Sequence, residues 1–307
     1  MRIFVTGASG WIGSATVAEL LEAGHEVVGL ARSDTSAQRV VAAGAIVHRG
    51  DLDGPDGLAK AAADSDGVIH LAFQHEVAFG GDFATAAAAD RRAVEAMGTA
   101  LAGSGRPLVL ASGLLGLANG RIATENDGLV PSADVRAIPA GLRAATGLFT
   151  LSLRGIGVRS SVLRLPPTVH GDGDNGFMAT LVAIARQRGV AGYVGDGSNR
   201  WPAVHRSDAA RLARLAVEAA PGGSVLHAVG EEGVPFRKIA EAMGRQLDVP
   251  GGSVTQADAA EHFAPLGHFV GLDAPASAAI TRELLEWEPT GPSLIEDLEQ
   301  DHYYRQA

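Results

Sequence analysis

Cysteine is absent from this chain of 307 residues. Its absence excludes disulfides, thiolate nucleophiles and cysteine-ligated metal centres. Lysine is rare, with only Lys60 and Lys238, so arginine carries almost all of the positive charge. The formal net charge of −10 argues against a broad nucleic-acid surface and against a polybasic membrane patch.

Long apolar runs are also absent. No stretch approaches the roughly 20 apolar residues that a membrane-spanning helix requires. A strand-like run begins at Arg2, which leaves no room for a signal peptide. We therefore expect a cytoplasmic protein with neither a membrane nor a nucleic acid as partner. The hydrophobic content of 46% is enough for one large domain or two smaller ones.

Strand-like apolar runs alternate with helix-like stretches in the first half of the chain. This alternation is typical of an α/β fold with a doubly wound parallel sheet and helices on both faces. We predict a Rossmann-like domain over residues 1–165, with residues 204–230 returning to it. Residues 166–203 and 231–307 are predicted to form a smaller C-terminal cap that binds substrate.

The stretch TGASGWIG places Gly7, Gly10 and Gly13 between a predicted strand and a predicted helix. The first glycine allows a sharp turn, the second lets the backbone approach a pyrophosphate, and the third lets the helix pack on the strand. The N-terminus of the helix then offers unpaired N–H groups to phosphates. The pattern predicts a dinucleotide site. The other predicted cofactor contacts of this loop are Ser9, Trp11 and Ile12.

The second predicted strand ends with VVGLARS. Ala31 stands where an acidic residue would bind the ribose 2′-hydroxyl of NAD. Arg32 follows, and a guanidinium pairs well with a 2′-phosphate. We therefore favour NADP over NAD, with Arg32 and Ser33 as contacts. The alternative is that this arginine only faces solvent.

Five motifs in order along the chain resemble the extended short-chain dehydrogenase/reductase superfamily, also called the NAD-dependent epimerase/dehydratase family. They are TGASGWIG, RGDLDG, VIHLA, SVLRLPPTVHGDGD and VGDGSNRWPAVHRSDAARL. The resemblance implies that Asp51 contacts the adenine amino group and that backbone after Pro166 holds the nicotinamide amide. The full set of further cofactor contacts that it implies is Asp51, Leu52, Leu71, Ala72, Pro166 and Val169.

The chain departs from this family where the catalytic Y-x-x-x-K motif is expected. The family's usual spacing puts the lysine on or near Arg143 and the tyrosine on or near Pro139. In the family, the tyrosine donates the proton and the lysine lowers the tyrosine pKa. None of the chain's three tyrosines precedes a lysine by four residues. The departure resembles the atypical branch of the superfamily, whose substrates are mostly unassigned.

Four residues are candidates for the remaining chemistry. Asp90 replaces the family's asparagine, and Ser112 lies near the serine that polarises a substrate carbonyl, although a strict count selects Gly113. Arg143 does not donate a proton at neutral pH, but it can hold ribose hydroxyls or an anionic substrate. His170 replaces the tyrosine of the family's V-Y-G and suits a general acid; alternatively, it only satisfies backbone groups of its loop.

Tyr193 and Trp201 are the candidate substrate contacts in the cap. A tyrosine in such a loop more often packs a substrate pocket than donates a proton. We predict no metal site, because His262 and His268 have no carboxylate or third ligand at the spacing of metal ligands.

The leading functional interpretation is an NADP-dependent oxidoreductase that transfers hydride to a small organic molecule without the tyrosine–lysine pair. A sugar-nucleotide epimerase or dehydratase is a second possibility, and a non-catalytic NADP-binding sensor or scaffold is a third. Two long alanine-rich helices are predicted near residues 82–101 and 136–154. In the family such helices pair across a two-fold axis, so the resemblance implies a homodimer.

Overall fold

The computed structural model describes residues 1–128, 139–264 and 266–305, and every element below lies within them. The strands are β1 (Arg2–Thr6), β2 (Glu26–Ala31), β3 (Ile46–Arg49), β4 (Gly67–His70), β5 (Pro107–Gly113), β6 (Arg159–Leu165), β7 (Thr168–His170), β8 (Ala191–Val194), β9 (Arg200–His205), β10 (Ser224–His227), β11 (Glu231–Pro235) and β12 (Gly251–Val254).

The helices connect these strands and cover the sheets. They are α1 (Trp11–Glu22), α2 (Asp34–Ala42), α3 (Pro55–Ala63), α4 (His75–Phe79), α5 (Phe83–Ala100), α6 (Pro139–Ser152), α7 (Phe177–Arg188), α8 (Arg206–Ala219), α9 (Phe236–Leu247), α10 (Ala259–His262), α11 (Ala279–Leu285) and α12 (Leu294–Leu298). Two short 3-10 helices complete the set, Leu153–Ile156 and Asp301–Tyr303.

Seven strands form one parallel sheet in the order β3-β2-β1-β4-β5-β6-β10. The chain builds outward from β1 to β3 and then returns to place β4 on the other side of β1. This reversal creates a topological switch point between β1 and β4, where dinucleotides bind beyond the carboxyl ends of the strands. The predicted doubly wound parallel sheet is confirmed, and smaller C-terminal sheets complete the fold.

Strand β1 shows why the large sheet is covered on both faces. Ile3, Phe4 and Val5 have no exposed surface. Successive side chains of a strand point to opposite faces. Ile3 and Val5 accordingly pack in one core cluster with residues of α1 and α8, and Phe4 packs in another with residues of α3 and α5. Burial of each such side chain stabilises the folded state by about 1.5–3 kcal/mol, so the helix layers on both faces hold the strand in place.

Both predicted long helices are present in the described residues. The helix predicted near 82–101 is α5, and the Asp82 carboxylate accepts a hydrogen bond from the Thr85 N–H to cap it. The helix predicted over 136–154 is observed as α6, followed directly by a 3-10 turn. Residues 136–138 lie outside the described part of the chain. The two helices pack against each other.

The predicted returning segment, residues 204–230, contains α8 and β10. Strand β10 pairs with β6 in parallel register, with Val225 opposite Val162. Helix α8 packs against α1. Within the described residues, no helix combines the length and the apolar character that a membrane crossing requires.

The other strands form two small sheets, β11-β9-β7 and β12-β8. We call these sheets, together with α7, α9 and α12, the small lobe. Its core is built on Trp201, Phe236 and Phe263, whose side chains are at most 1% exposed. Leu285 and Trp287, from the C-terminal segment, pack in the core cluster that contains residues of the large sheet.

Candidate cofactor and substrate site

The glycine loop between β1 and α1 leaves no room for side chains. A Cβ on Gly13 would lie 1.9 Å from the Gly7 carbonyl oxygen, and one on Gly7 would lie 2.9 Å from the Ala72 nitrogen. Gly7 also has a φ of +69°, which glycine adopts without strain. The Gly10 N–H donates to the Gly7 carbonyl at 2.9 Å, which closes the turn.

Helix α1 begins directly after this loop with its N-terminus uncapped. No side chain caps Gly10, and the first turn contains no acidic residue. Among the described residues, no side chain therefore competes for the N-terminus of α1, which follows the carboxyl end of β1. Such an N-terminus binds phosphates, so the loop fits the diphosphate of a dinucleotide.

Trp11 joins the glycine loop to the far side of the crevice. Its Nε1 donates to the Val169 carbonyl at 3.2 Å. The Arg206 guanidinium stacks on the indole, with Cζ 4.1 Å from the ring centroid, and its Nε donates to the Trp11 carbonyl at 2.8 Å. Sequence reasoning missed Arg206, because only the fold places the start of α8 beside α1.

The carboxyl end of β2 presents the predicted NADP contacts. Arg32 is exposed, and its Nη2 lies 3.1 Å from Glu76 Oε2. The Ser33 hydroxyl accepts from the Ser36 N–H, and the Ser36 hydroxyl accepts from the Ser33 N–H. Ser33 therefore caps α2 in this structure.

The remaining predicted cofactor contacts follow the carboxyl ends of β1, β3, β4 and β6. Asp51 is exposed and its Oδ1 accepts from the Asp53 N–H, whereas Leu52 is 6% exposed and packs in the core with Phe4. The Ala72 N–H donates to Thr6 Oγ1 at 3.1 Å. The half-buried contacts are Ser9, Ile12, Leu71 and Ala72, and the buried ones are Leu52, Pro166 and Val169.

A chain of buried polar side chains runs beneath the crevice. Thr6 Oγ1 lies 2.6 Å from His70 Nδ1, and His70 Nε2 lies 3.2 Å from Asp90 Oδ1. Asp90 Oδ2 lies 3.8 Å from Arg143 Nε. Thr6, His70 and Asp90 are at most 1% exposed. Because Thr6 Oγ1 already accepts the Ala72 N–H, this arrangement favours the His70 tautomer whose Nε2 hydrogen faces Asp90.

The Asp90 carboxylate is incompletely satisfied. Neither of its oxygens accepts an aligned hydrogen bond from the described residues, although His70 and Arg143 lie beside it. A buried carboxylate in this state is unusual, because desolvation is offset only by hydrogen bonds or by a countercharge. The Arg143 guanidinium supplies that countercharge.

Arg143 is held on three sides at the carboxyl end of β5. Its Nη2 donates to the Ala111 carbonyl at 2.7 Å, its Cζ lies 4.1 Å from the Phe73 ring centroid, and Asp90 lies behind it. Burial lowers the pKa of Arg143 and Asp90 opposes that shift, so the side chain stays charged at neutral pH. One fifth of the side chain remains exposed. Ser112 follows Ala111 and is half-buried.

The structure thus brings Asp90 and Arg143 together, and Ser112 follows the residue whose carbonyl accepts from Arg143. It adds His75, which sequence reasoning missed. The His75 ring meets Phe73 edge to face at 5.1 Å between centroids. Partial enclosure lowers the pKa of His75, Arg143 lowers it further and Asp90 opposes both, so the imidazole is neutral near pH 7. The position of His75 shortly after VIHLA, at the end of β4, is the sequence feature that could have identified it.

His170, Tyr193 and Trp201 are not part of this cluster. His170 has no exposed surface, and its Nδ1 lies 2.9 Å from Asp297 Oδ2. Trp201 has no exposed surface either, and its Nε1 donates to the Leu272 carbonyl. Both rings are enclosed by the small lobe. Tyr193 packs beside Arg237 in the same lobe.

The hydroxyl groups of the other two tyrosines also form hydrogen bonds away from this cluster. The Tyr303 hydroxyl donates to Asp174 at 2.9 Å, and the Tyr304 hydroxyl donates to the Leu298 carbonyl at 2.8 Å. Burial raises the pKa of both phenols. All three tyrosines of the chain lie among the described residues, and none contacts the Asp90–Arg143 cluster.

The parallel sheet, its switch point and the glycine loop define a Rossmann-type dinucleotide-binding protein. Residues 3–105 match the model of the NAD-dependent epimerase/dehydratase family. An uncharacterised protein of Schizosaccharomyces pombe is 46% identical over 305 residues, covering 99% of this chain and 100% of its own length. The chain belongs to the NAD-dependent epimerase/dehydratase family.

More distant similarities extend over most of the chain. A ketoreductase of Stigmatella aurantiaca, named for 4-hydroxy-2-methyl-3-oxo-4-farnesyl-3,4-dihydroquinoline-1-oxide, is 27% identical over 86% of this chain and 79% of its own. The crystal structure of UDP-glucose 4-epimerase from Thermotoga maritima superposes with a TM-score of 0.78 at 20% identity, covering 99% of this chain and 98% of that one. The latter shows a shared fold.

Proposed function

We propose that this protein is an NADP-dependent oxidoreductase that reduces a carbonyl group of a small organic molecule without a tyrosine proton donor. The observation that carries the proposal is Arg143, a cation fixed at the carboxyl end of β5 with one fifth of its side chain exposed. The ketoreductase named above, a distant relative, supports a ketone as the substrate group.

The residues around the crevice fit a dinucleotide. The N–H groups at the start of α1 would hold the diphosphate, Arg32 would pair with the 2′-phosphate, and backbone between Pro166 and Val169 would hold the nicotinamide amide. When bound in its reduced form, the cofactor supplies hydride. Ala31 at the end of β2 lacks the carboxylate that would favour NAD, which supports NADP.

Arg143 and Ser112 would act on the substrate oxygen. A ketone that accepts hydride develops negative charge on its oxygen, and a fixed guanidinium together with a hydroxyl stabilises that charge. The guanidinium keeps its own proton, so the proton that completes the alcohol comes from water or from another group. Substrates that give a conjugated or otherwise stabilised anion after hydride transfer would depend least on a protein group for this proton.

The buried chain beneath Arg143 would position the guanidinium. Asp90 balances its charge, His70 lies beside the Asp90 carboxylate on the other side, and Thr6 contacts His70. Since these side chains are enclosed, they cost little reorganisation when charge develops on the substrate. We therefore assign Asp90 and His70 as positioning residues.

The proposal is tested by following NADPH oxidation with 9,10-phenanthrenequinone, ethyl 3-oxobutanoate and cyclohex-2-enone. Arg143→Met should lower kcat by about 10²-fold, as removal of an oxyanion-stabilising donor does. Arg91→Met is the matched control, because Arg91 stacks on Phe149 on the same helix pair but lies outside the cluster. NADPH that carries deuterium in place of the transferred hydride should lower the rate of a single turnover.

Three results would contradict the proposal. Failure of the wild-type protein to bind NADPH would contradict the cofactor assignment. Tight NADPH binding without consumption on any probe would favour a sensor or scaffold. Protection against thermal unfolding by UDP-glucose, but by none of the carbonyl probes, would favour a sugar-nucleotide epimerase or dehydratase.

A further inference from the structure

One ion pair crosses the crevice over the end of β1. Arg32 follows β2, and Glu76 lies in α4, just after β4. In the sheet, β2 and β4 flank β1 on opposite sides. The contact between Arg32 Nη2 and Glu76 Oε2, at 3.1 Å, therefore joins the segments that follow the two strands flanking β1.

This position coincides with the adenosine half of the dinucleotide crevice. The end of β2 is where such folds recognise the adenosine ribose, by an acid for its 2′-hydroxyl or by an arginine for a 2′-phosphate. Here the arginine follows β2 directly, but the acid arrives from α4. A carboxylate and a guanidinium, the two kinds of group that distinguish NAD from NADP in such folds, thus lie in contact here.

We propose that Glu76 sets the coenzyme selectivity, because its carboxylate occupies the Arg32 guanidinium and competes with the 2′-phosphate of NADP. This inference rests on the proposed binding of NADP. A monoester phosphate carries about −1.5 to −2 charges near pH 7, so its approach to the same guanidinium also meets repulsion from the carboxylate. NAD carries no phosphate there and avoids this competition.

Other arginines near this end of the sheet have carboxylate partners of their own, such as Arg92 with Asp53. Arg49 is the Cα partner of Ala31 in the β2–β3 register. Arg49 is paired with Asp34. Among the described residues, Glu76 is the carboxylate paired with Arg32, so removal of the Glu76 charge leaves that guanidinium available to the phosphate.

The experiment measures NADPH and NADH binding by cofactor fluorescence in wild type and Glu76→Gln. The substitution should tighten NADPH binding roughly three- to ten-fold, the range expected for loss of an exposed charge that opposes a phosphate. NADH binding should change less than about two-fold. The gain for NADPH should shrink in 0.5 M salt, because exposed charges are screened.

Two variants separate this role from a general effect of charge. Glu26→Gln removes the carboxylate of another exposed arginine–glutamate pair, Arg2–Glu26, at the opposite end of β2, and should change neither affinity. In an Arg32→Ala background, Glu76→Gln should have a clearly smaller effect on the NADPH-to-NADH ratio, because only the direct repulsion between carboxylate and phosphate is then relieved. A purely structural role of Glu76 would not depend on Arg32.

The outcomes distinguish the inference from the function on which it rests. If neither coenzyme binds wild type or Glu76→Gln, the proposed function fails and this inference fails with it. If NADPH binds but Glu76→Gln leaves the NADPH-to-NADH ratio unchanged, or changes it equally in the Arg32→Ala background, only the role of Glu76 is overturned.

Discussion

Asp90 Oδ2 lies 3.8 Å from Arg143 Nε, and the Asp90 side chain has no exposed surface. Each partner is thus the countercharge of the other in a region from which water is largely excluded. Loss of one partner leaves a buried charge unpaired, which is costly, whereas removal of both is often tolerated.

Asp90→Asn should therefore destabilise the protein by about 1–3 kcal/mol, less than a fully buried pair because Arg143 is partly exposed. Arg143→Met should destabilise it similarly, and the double variant should recover part of the loss. Urea unfolding of the four proteins measures this coupling. Additive losses in the double variant would show that the two side chains do not act as a pair.

Gly13 should tolerate no side chain. A Cβ there would lie 1.9 Å from the Gly7 carbonyl, so Gly13→Ala must move α1 away from β1. We expect weaker NADPH binding by at least about ten-fold and a lower melting temperature, since overpacking typically costs 1–3 kcal/mol. Gly155→Ala is the control, because nothing lies within 4 Å of its added Cβ. Unchanged binding in Gly13→Ala would contradict the assigned diphosphate loop.

His227 should make the fold less stable in mild acid. Its Nδ1 lies 2.8 Å from the Ser277 carbonyl, and its Nε2 lies 3.3 Å from Arg164 Nη1. Burial lowers the pKa of His227 to about 4, and the nearby guanidinium of Arg164 also lowers it. The unfolded chain binds this proton near pH 6.5. The stabilising contribution is therefore complete above pH 6.5 and is lost as the pH falls toward 4, by up to about 3 kcal/mol.

Urea unfolding between pH 7.5 and 4.5 checks this expectation. His227→Gln should flatten the decline in stability across that window, although it should be less stable than wild type at pH 7.5. His268→Gln replaces an exposed histidine and should retain the wild-type decline. An equally steep decline in His227→Gln would assign the acid sensitivity to other groups.

The homodimer expected from the family resemblance is tested at the two long helices. Helix α5 exposes a stripe that includes Ala88, Arg92 and Glu95, and α6 leaves Leu142 37% exposed beside it. Light scattering should give twice the 31.4 kDa chain mass for wild type and half of that for Leu142→Glu. Ile46→Glu changes another exposed apolar residue, 46% exposed and on β3, and should stay dimeric. A wild-type protein with the mass of a single chain would contradict the predicted homodimer.

The glycine loop and the strand that precedes it were predictable because their constraints are local. Gly7 and Gly13 contact each other across six residues, so their spacing alone fixes a turn that ends in a helix N-terminus. The absence of a tyrosine four residues before a lysine was likewise readable from the chain. The strands of the small lobe were harder to predict from the sequence. Strand β8 pairs with β12, nearly sixty residues later, within a glycine-rich segment.

The order of residues by itself determined the parallel sheet and the phosphate-binding turn, since hydrophobic periodicity and glycine spacing act over a few neighbouring positions. Only the tertiary structure decided that Thr6, His70, Asp90 and Arg143 form one buried chain, and that Glu76 reaches Arg32. These contacts join different strands and helices, and Thr6 and His70 alone are 64 positions apart. Their charges and hydrogen bonds acquire partners only when packing brings those elements together and removes the water between them.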